Sequence, residues 1–280
     1  EKIVHEYKPD IILTVSFRLM WVNAFKLSKQ FSIPLYVILH DDWLTTENHG
    51  KWQNYLNGFF EKMYKHAAER FCISPNMEKY YHSLYGIHGK ILYPSRGKND
   101  HVFPIAERKR NSRLKYCYAG SLFTGDFPVM LNKISSIIED QGGELHIFSH
   151  LDKEALAGYE NLIKPHVFFY GLIPPLELMR TMNEKMDVAI LLNSFLHEQP
   201  FRYNFSSKLV DYCSAGLPVL IWGPASSGAI SWALSLQYGP IVIEDNIDAV
   251  KMLMGQFADD DQRLNWANEF RKIGLENFSY

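Results

Sequence analysis

The sequence has 280 residues, with 29 basic against 31 acidic side chains, a formal net charge of -2, and 47% hydrophobic and 14% aromatic residues. That composition excludes a disordered chain. The even charge balance argues against nucleic acid as the main partner, because phosphate binding leaves a basic footprint.

"PDIILTV" (Pro9 to Val15) reads as a strand buried on both faces, and helical sequence follows to about Gln30. "IPLYVIL" is a second strand, ending at His40-Asp41-Asp42. Lys51 to Ala68 is an aromatic-rich helix, "RFCIS" a third strand, and Pro75 suits the first turn of the next helix. "KILYP" closes this half. The stretch Ser95 to Ser112 has linker composition, with Arg96, Lys98, Lys109, Arg110 and then Arg113 among Gly97, Asn99 and Pro104. The pattern then restarts with "LKYCYAG", a helix stopped by Gly142-Gly143, "ELHIFS", "VFFYGLIP", the helix "PLELMRTMNEK" and "DVAILLN". "NFSSKLVDYCSAGLPVL" is a helix and turn before the strand "PVLIW", then "GPIVIE". Two terminal helices follow, the second started by Asp259-Asp260-Asp261.

Alternating strands and helices imply an α/β chain of two parallel-sheet domains, 1–107 with its linker and 108–280. The first half offers about four strands, fewer than the six of a dinucleotide-type domain. The chain also opens inside helix-like sequence with no methionine, so a longer protein is expected. No apolar run approaches the roughly 20 residues of a membrane span, and no signal-peptide pattern is present. Cys72, Cys117 and Cys213 sit singly in apolar contexts, which predicts buried reduced thiols in a cytoplasmic protein.

The polar entry to "SSKLVDY" raises a question about chemistry. Ser206 or Ser207 is placed to cap the helix through its hydroxyl. Leu209, Val210 and Cys213 form a packing stripe, and Gly216 suits the left-handed residue after the helix. Local pattern alone fits either a capped helix with a surface Lys–Asp pair or an anion site at a helix start. His40, at the carboxyl end of a parallel strand, is either structural or on the ligand side of the sheet. Asp41 and Asp42 read as a solvated loop or helix cap, or as carboxylates for metal or acid–base work. Trp43, Trp52, Tyr55, Phe59 and Phe60 read as helix packing or as an acceptor- or membrane-facing surface.

Three quoted pieces occur in one order: "YAGSL", "VFFYGLIPPLELMRTMNEKMDVAILLN" and "FSSKLVDYCSAGLPVL". Together they resemble the nucleotide-sugar-binding half of GT-B glycosyltransferases, the large retaining group 1 family. The resemblance covers about Leu114 to Tyr280 well and Pro9 to Pro94 more loosely. It implies two Rossmann-like domains facing a cleft. It also implies sugar transfer from a nucleotide-diphosphate sugar to an acceptor hydroxyl, in glycan, polysaccharide or glycolipid synthesis, of hexosyltransferase type. Retention of configuration and metal-independence are part of that implication, with no cofactor beyond the donor. The partners are then a nucleotide sugar and a carbohydrate or lipid-linked acceptor, with peripheral membrane contact compatible with it.

By position, the resemblance makes Asp211 the grip on the donor ribose. It makes Ser206, Ser207 and Lys208 the phosphate-facing helix start, Gly120 and Ser121 the turn under the diphosphate, and Gly171, Leu172 and Ile173 the base-reading turn. His40 would face the reacting sugar or acceptor. The family's second glutamate falls at Tyr203, with Glu198 nearby as a substitute. "SLFTGDF" lacks the usual Arg and Lys, leaving Lys208 or Arg202 for the phosphate charge. A nucleotide-sugar epimerase and a non-catalytic nucleotide-sugar-binding protein are the alternatives.

Overall fold

A computed structural model describes residues 2–46, 48–97, 102–105, 113–122, 126–151 and 154–278. The chain divides into two compact units: Glu1–Tyr93 with Gln199–Phe205, and Pro94–Glu198 with Ser206–Tyr280. The division thus falls earlier than residue 107, and one short segment crosses back into the first unit.

The first unit holds four parallel strands in the order β1 (Ile12–Val15), β2 (Leu35–Leu39), β3 (Glu69–Cys72) and β4 (Lys90–Ile91). Helices Met20–Phe31, Gln53–His66 and Pro75–Tyr85 connect them. Ser74 caps the last of these by accepting from Met77 N–H at 3.0 Å, Pro75 opens it, and Gly86 ends it in the left-handed region. The core is aromatic: Trp21, Trp43, Phe60, Tyr64 and Tyr81 are all fully buried. β1 departs from the sequence reading. Leu13 and Val15 are exposed, because β1 is the edge strand and only one of its faces is packed.

The second unit has six parallel strands: β5 (Lys115–Ala119), β6 (Glu144–Phe148), β7 (Val167–Phe169), β8 (Val188–Leu192), β9 (Val219–Trp222) and β10 (Ile241–Val242). Their order is β10-β9-β8-β5-β6-β7, the doubly wound dinucleotide order, which reverses direction between β5 and β8. β8 is buried at every position, as a central parallel strand must be. Gly142, at φ +68, ends the helix Asp126–Asp140, and Asp259 caps the final helix by accepting from Asp261 and Gln262 N–H. No helix among the described residues is long and apolar enough to cross a membrane.

The three cysteines are buried free thiols. Burial pushes Cys72 up to about 12 and Cys213 up to about 11, so they are inert packing groups.

Candidate functional site

In a doubly wound sheet the strand order opens a crevice at the carboxyl ends, where the order reverses. Here that point lies between β5 and β8. Their pairing runs Tyr116↔Val188 and Cys117↔Ala189. Beyond it, the Tyr212 hydroxyl accepts from Ala119 N–H at 3.1 Å and donates to the Ile190 carbonyl at 3.2 Å. Tyr212 is fully buried and bridges the parting strands. It belongs to the helix Lys208–Ser214, which is thereby fixed beside the crevice.

Three further contacts hold that helix. A Cβ built on Gly274, in the helix Asp260–Phe278, would lie 1.8 Å from Cys213 Sγ, so only glycine allows this approach. Arg271 Nε donates to the Cys213 carbonyl at 3.0 Å, and Asn183 Nδ2 donates to the Ala215 carbonyl at 2.9 Å. These satisfy carbonyls that a helix end leaves orphaned. Gly216 follows at φ +72, as a left-handed terminator.

The helix start differs from the sequence expectation. Ser207 has helical backbone and makes no side-chain cap. Leu209 and Val210 N–H bond instead to the Ser206 and Ser207 carbonyls at 3.2 and 3.0 Å. The seven-residue helix is too short for a strong dipole, which sums over aligned peptides. Positive charge at the site therefore rests on Lys208.

Lys208 runs across Gly120, the residue that ends β5. A Cβ at Gly120 would meet Lys208 Cε at 2.2 Å, and Gly120 has φ +133. The ammonium donates to the Tyr118 hydroxyl at 3.0 Å and lies 4.6 Å from the Tyr118 ring centroid. Tyr118 in turn donates to the Ser121 carbonyl at 2.8 Å. Lys208 has no carboxylate partner among the described residues, and burial lowers its pKa to about 8. A desolvated cation without a counter-ion, against a bare glycine turn, is a place for an anion.

Asp211 lies nearly one turn further on and forms an ion pair with Arg96. Burial raises its carboxyl, and the guanidinium opposes that rise. The partner comes from the linker; Lys98, Lys109 and Arg110 lie outside the described residues. Glu198, exposed at the start of helix Glu198–Tyr203, accepts from Ser226 Oγ at 2.7 Å. Asp126 is buried, and its Oδ2 accepts from Ser194 Oγ at 2.6 Å and from Phe195 N–H at 3.1 Å. It thus fixes the loop that leaves β8.

Residues 1–94 match the family model Glycosyltransferase Family 4. A glycosyltransferase from Rickettsia africae superposes with TM-score 0.72 at 13% identity, covering 99% of this chain and 75% of that one. The pneumococcal O-GlcNAc transferase GtfA, solved with UDP and GlcNAc, gives 0.67 at 11% identity, over 99% of this chain and 56% of its own. TarM of S. aureus gives 0.65 at 11%, over 99% and 55%. The chain has the GT-B fold, and its residues 1–94 are similar to Glycosyltransferase Family 4. It spans little more than half of the GtfA and TarM chains. No curated protein gives a significant match.

Within this GT-B chain the structure brings Gly120, Ser121 and Lys208 into one cluster, with Ser206, Ser207 and Asp211 on the same short segment. The Ser206 and Ser207 hydroxyls make no hydrogen bond among the described residues. Gly171, at φ +67, with Leu172 and Ile173 forms an open turn after β7, on the same carboxyl edge of the sheet.

Tyr203 belongs to the first unit, where it stacks on Tyr80 with ring centroids 4.1 Å apart. Arg202 is also grouped there. His40 directly follows β2 in that unit, exposed and 3.3 Å from Asp41 Oδ2, a contact that raises its pKa. Asp42 is not a solvated loop residue. It is buried, accepts from Tyr81 at 2.8 Å and Thr45 at 2.6 Å, and its carboxyl is raised by desolvation. Sequence reading missed Tyr118, Tyr212, Asp126 and the Arg96–Asp211 pair. Only the polar group on an otherwise apolar strand or helix face marked the first two.

Proposed function

We propose that this GT-B chain transfers a sugar from a nucleoside-diphosphate sugar to an acceptor hydroxyl, with the donor diphosphate at Lys208. The observation that carries this is the Lys208 ammonium lying uncompensated across Gly120 at the β5–β8 reversal. Gly120 lets the Lys208 side chain lie close against the backbone at the end of β5, and Ser121 and the Ser206–Ser207 hydroxyls add donors. The lysine stabilises charge that develops on the departing diphosphate, an electrostatic contribution of the preorganised kind. Asp211, oriented by Arg96, accepts from the ribose hydroxyls. Gly171–Ile173 contacts the base. His40, made more basic by Asp41, handles the acceptor side, and Glu198 is the carboxylate nearest the sugar position in sequence. Retention, metal-independence, a hexosyl group and a glycan or lipid-linked acceptor follow from family resemblance.

A screen of nucleoside diphosphates for thermal stabilisation tests the reading, since a ligand that binds only the folded state raises the midpoint. Uridine diphosphate leads the screen, because the GtfA and TarM structures contain UDP. Unchanged affinity in Asp211→Ala would remove the ribose assignment. Loss of transfer in EDTA would overturn metal-independence. The stacking of Tyr203 on Tyr80 supports a second reading, donor binding without turnover. That reading predicts stabilisation by a nucleoside diphosphate with no transfer to any acceptor and no donor hydrolysis.

A further inference from the structure

Among the described residues, four that are not glycine have positive φ: Lys8, Arg18, Ser32 and Gln237. Lys8, Ser32 and Gln237 follow helix ends, where a left-handed residue is ordinary. Arg18, at φ +47, lies instead between β1 and the helix Met20–Phe31. A bulky residue is strained in that conformation and a glycine is not. What holds Arg18 there is its carbonyl, which accepts from Trp21 Nε1 at 2.9 Å and from Trp43 Nε1 at 2.6 Å. Both indoles are fully buried and meet edge to face at 5.1 Å. The fold thus uses the Arg18 carbonyl, which a glycine would supply equally well. The packed interior makes no use of the side chain, which is exposed. Backbone strain of this kind gathers at functional positions.

The side chain stands on the ligand edge of the first unit's sheet. Ser16 N–H donates to the Ile38 carbonyl at 2.9 Å, one step past the β1–β2 register, so residues 16–19 and 40–43 leave the same carboxyl edge. The bond from Trp43 to Arg18 fastens these two loops together, and His40 begins the second. Ligands of open parallel sheets bind at that edge. The Arg18 guanidinium lies 5.4 Å from the Phe17 ring centroid and has no carboxylate partner among the described residues. The acids of the neighbouring loop are engaged elsewhere. Asp41 lies against His40 at 3.3 Å and accepts from Asn204 Nδ2 at 2.9 Å, and buried Asp42 accepts from Tyr81 and Thr45. An arginine steadied by an aromatic face and lacking an acid partner presents a planar fork. That fork fits a phosphate or a carboxylate bidentately.

We propose that Arg18 binds an anionic group, phosphate or carboxylate, carried by a carbohydrate acceptor. That the ligand is an acceptor rests on the glycosyl-transfer reading above; that it is anionic rests on Arg18.

Calorimetric titration of the whole chain with glucose, glucuronate and glucose 6-phosphate tests it. The charged sugars are expected to bind at least about tenfold more tightly than glucose, and the tighter of the two names the group. Arg18→Gln abolishes the preference and Arg18→Lys keeps part of it. Lys208→Met leaves it intact, so a failure of the donor reading is seen separately. Arg18→Gly also abolishes the preference, yet its melting midpoint is no lower than that of the wild type, because the strain is relieved. An arginine that only supported the fold would not give that combination. No preference among the three sugars in the wild type, or an undiminished one in Arg18→Gln, overturns the proposal. A lower midpoint in Arg18→Gly does so too, since the side chain would then serve the fold. So does a preference lost in Lys208→Met and kept in Arg18→Gln, which moves the anion to the donor site.

Discussion

Gly120→Ala separates the site from the scaffold. Gly120 has φ +133, where an L side chain is strained, at a cost of about 1–3 kcal/mol. The added methyl would lie 2.2 Å from Lys208 Cε, far inside the 3.5–4.0 Å optimum for carbon contacts. The clash is with the far part of a flexible side chain, so the chain folds and Lys208 swings off Tyr118. The melting midpoint is then expected to fall by about 2–12 °C. Losing the charge-assisted contact to phosphate is worth about 1.5–3 kcal/mol, so nucleoside-diphosphate affinity falls about ten- to a hundredfold. Calorimetric titration beside a thermal melt reads both quantities. Wild-type affinity in a folded Gly120→Ala chain would refute the placement of the diphosphate.

Tyr212→Phe removes the hydroxyl that bridges Ala119 and Ile190, leaving a buried N–H and C=O unpaired; urea titration should show a loss of about 1–3 kcal/mol. Because burial holds Lys208 at about 8, an arriving diphosphate raises its pKa. Calorimetry above pH 8 in buffers of differing ionisation enthalpy should therefore show proton uptake on binding, absent in Lys208→Met. Burial raises Asp42, so the folded chain holds that proton to higher pH than the unfolded chain does. Stability linked to this group is highest at low pH and falls as pH rises from about 4 through the folded pKa. Asp42→Asn should remove that slope from the stability–pH curve.

The strand and helix order was legible because buried parallel strands are short apolar runs and their helices carry Gly, Pro and Ser punctuation. "DVAILLN" and Ser74-Pro75 show this directly. The helix Gly228–Ser235 escaped notice because its apolar residues cover most of its surface and leave no period to read. Leu13 and Val15 misled for a related reason: composition marks an apolar strand, but only packing tells which of its faces is covered. Gly216 was placed correctly, because a left-handed helix terminator has a strong local requirement. The hydroxyl cap at Ser206 or Ser207 was not, since backbone carbonyls serve as the acceptors. Arg96 and Asp211 are 115 residues apart, and nothing in either local sequence pairs them. The stacking of Tyr203 on Tyr80 is hidden in the same way.

The most direct test is titration of the best-stabilising nucleoside diphosphate into wild type and Lys208→Met near pH 7. Lys208 carries the uncompensated charge at the β5–β8 reversal, so its loss should weaken binding by at least about tenfold while the fold is retained. Equal affinity in the two proteins would contradict the account and move the diphosphate elsewhere on the molecule.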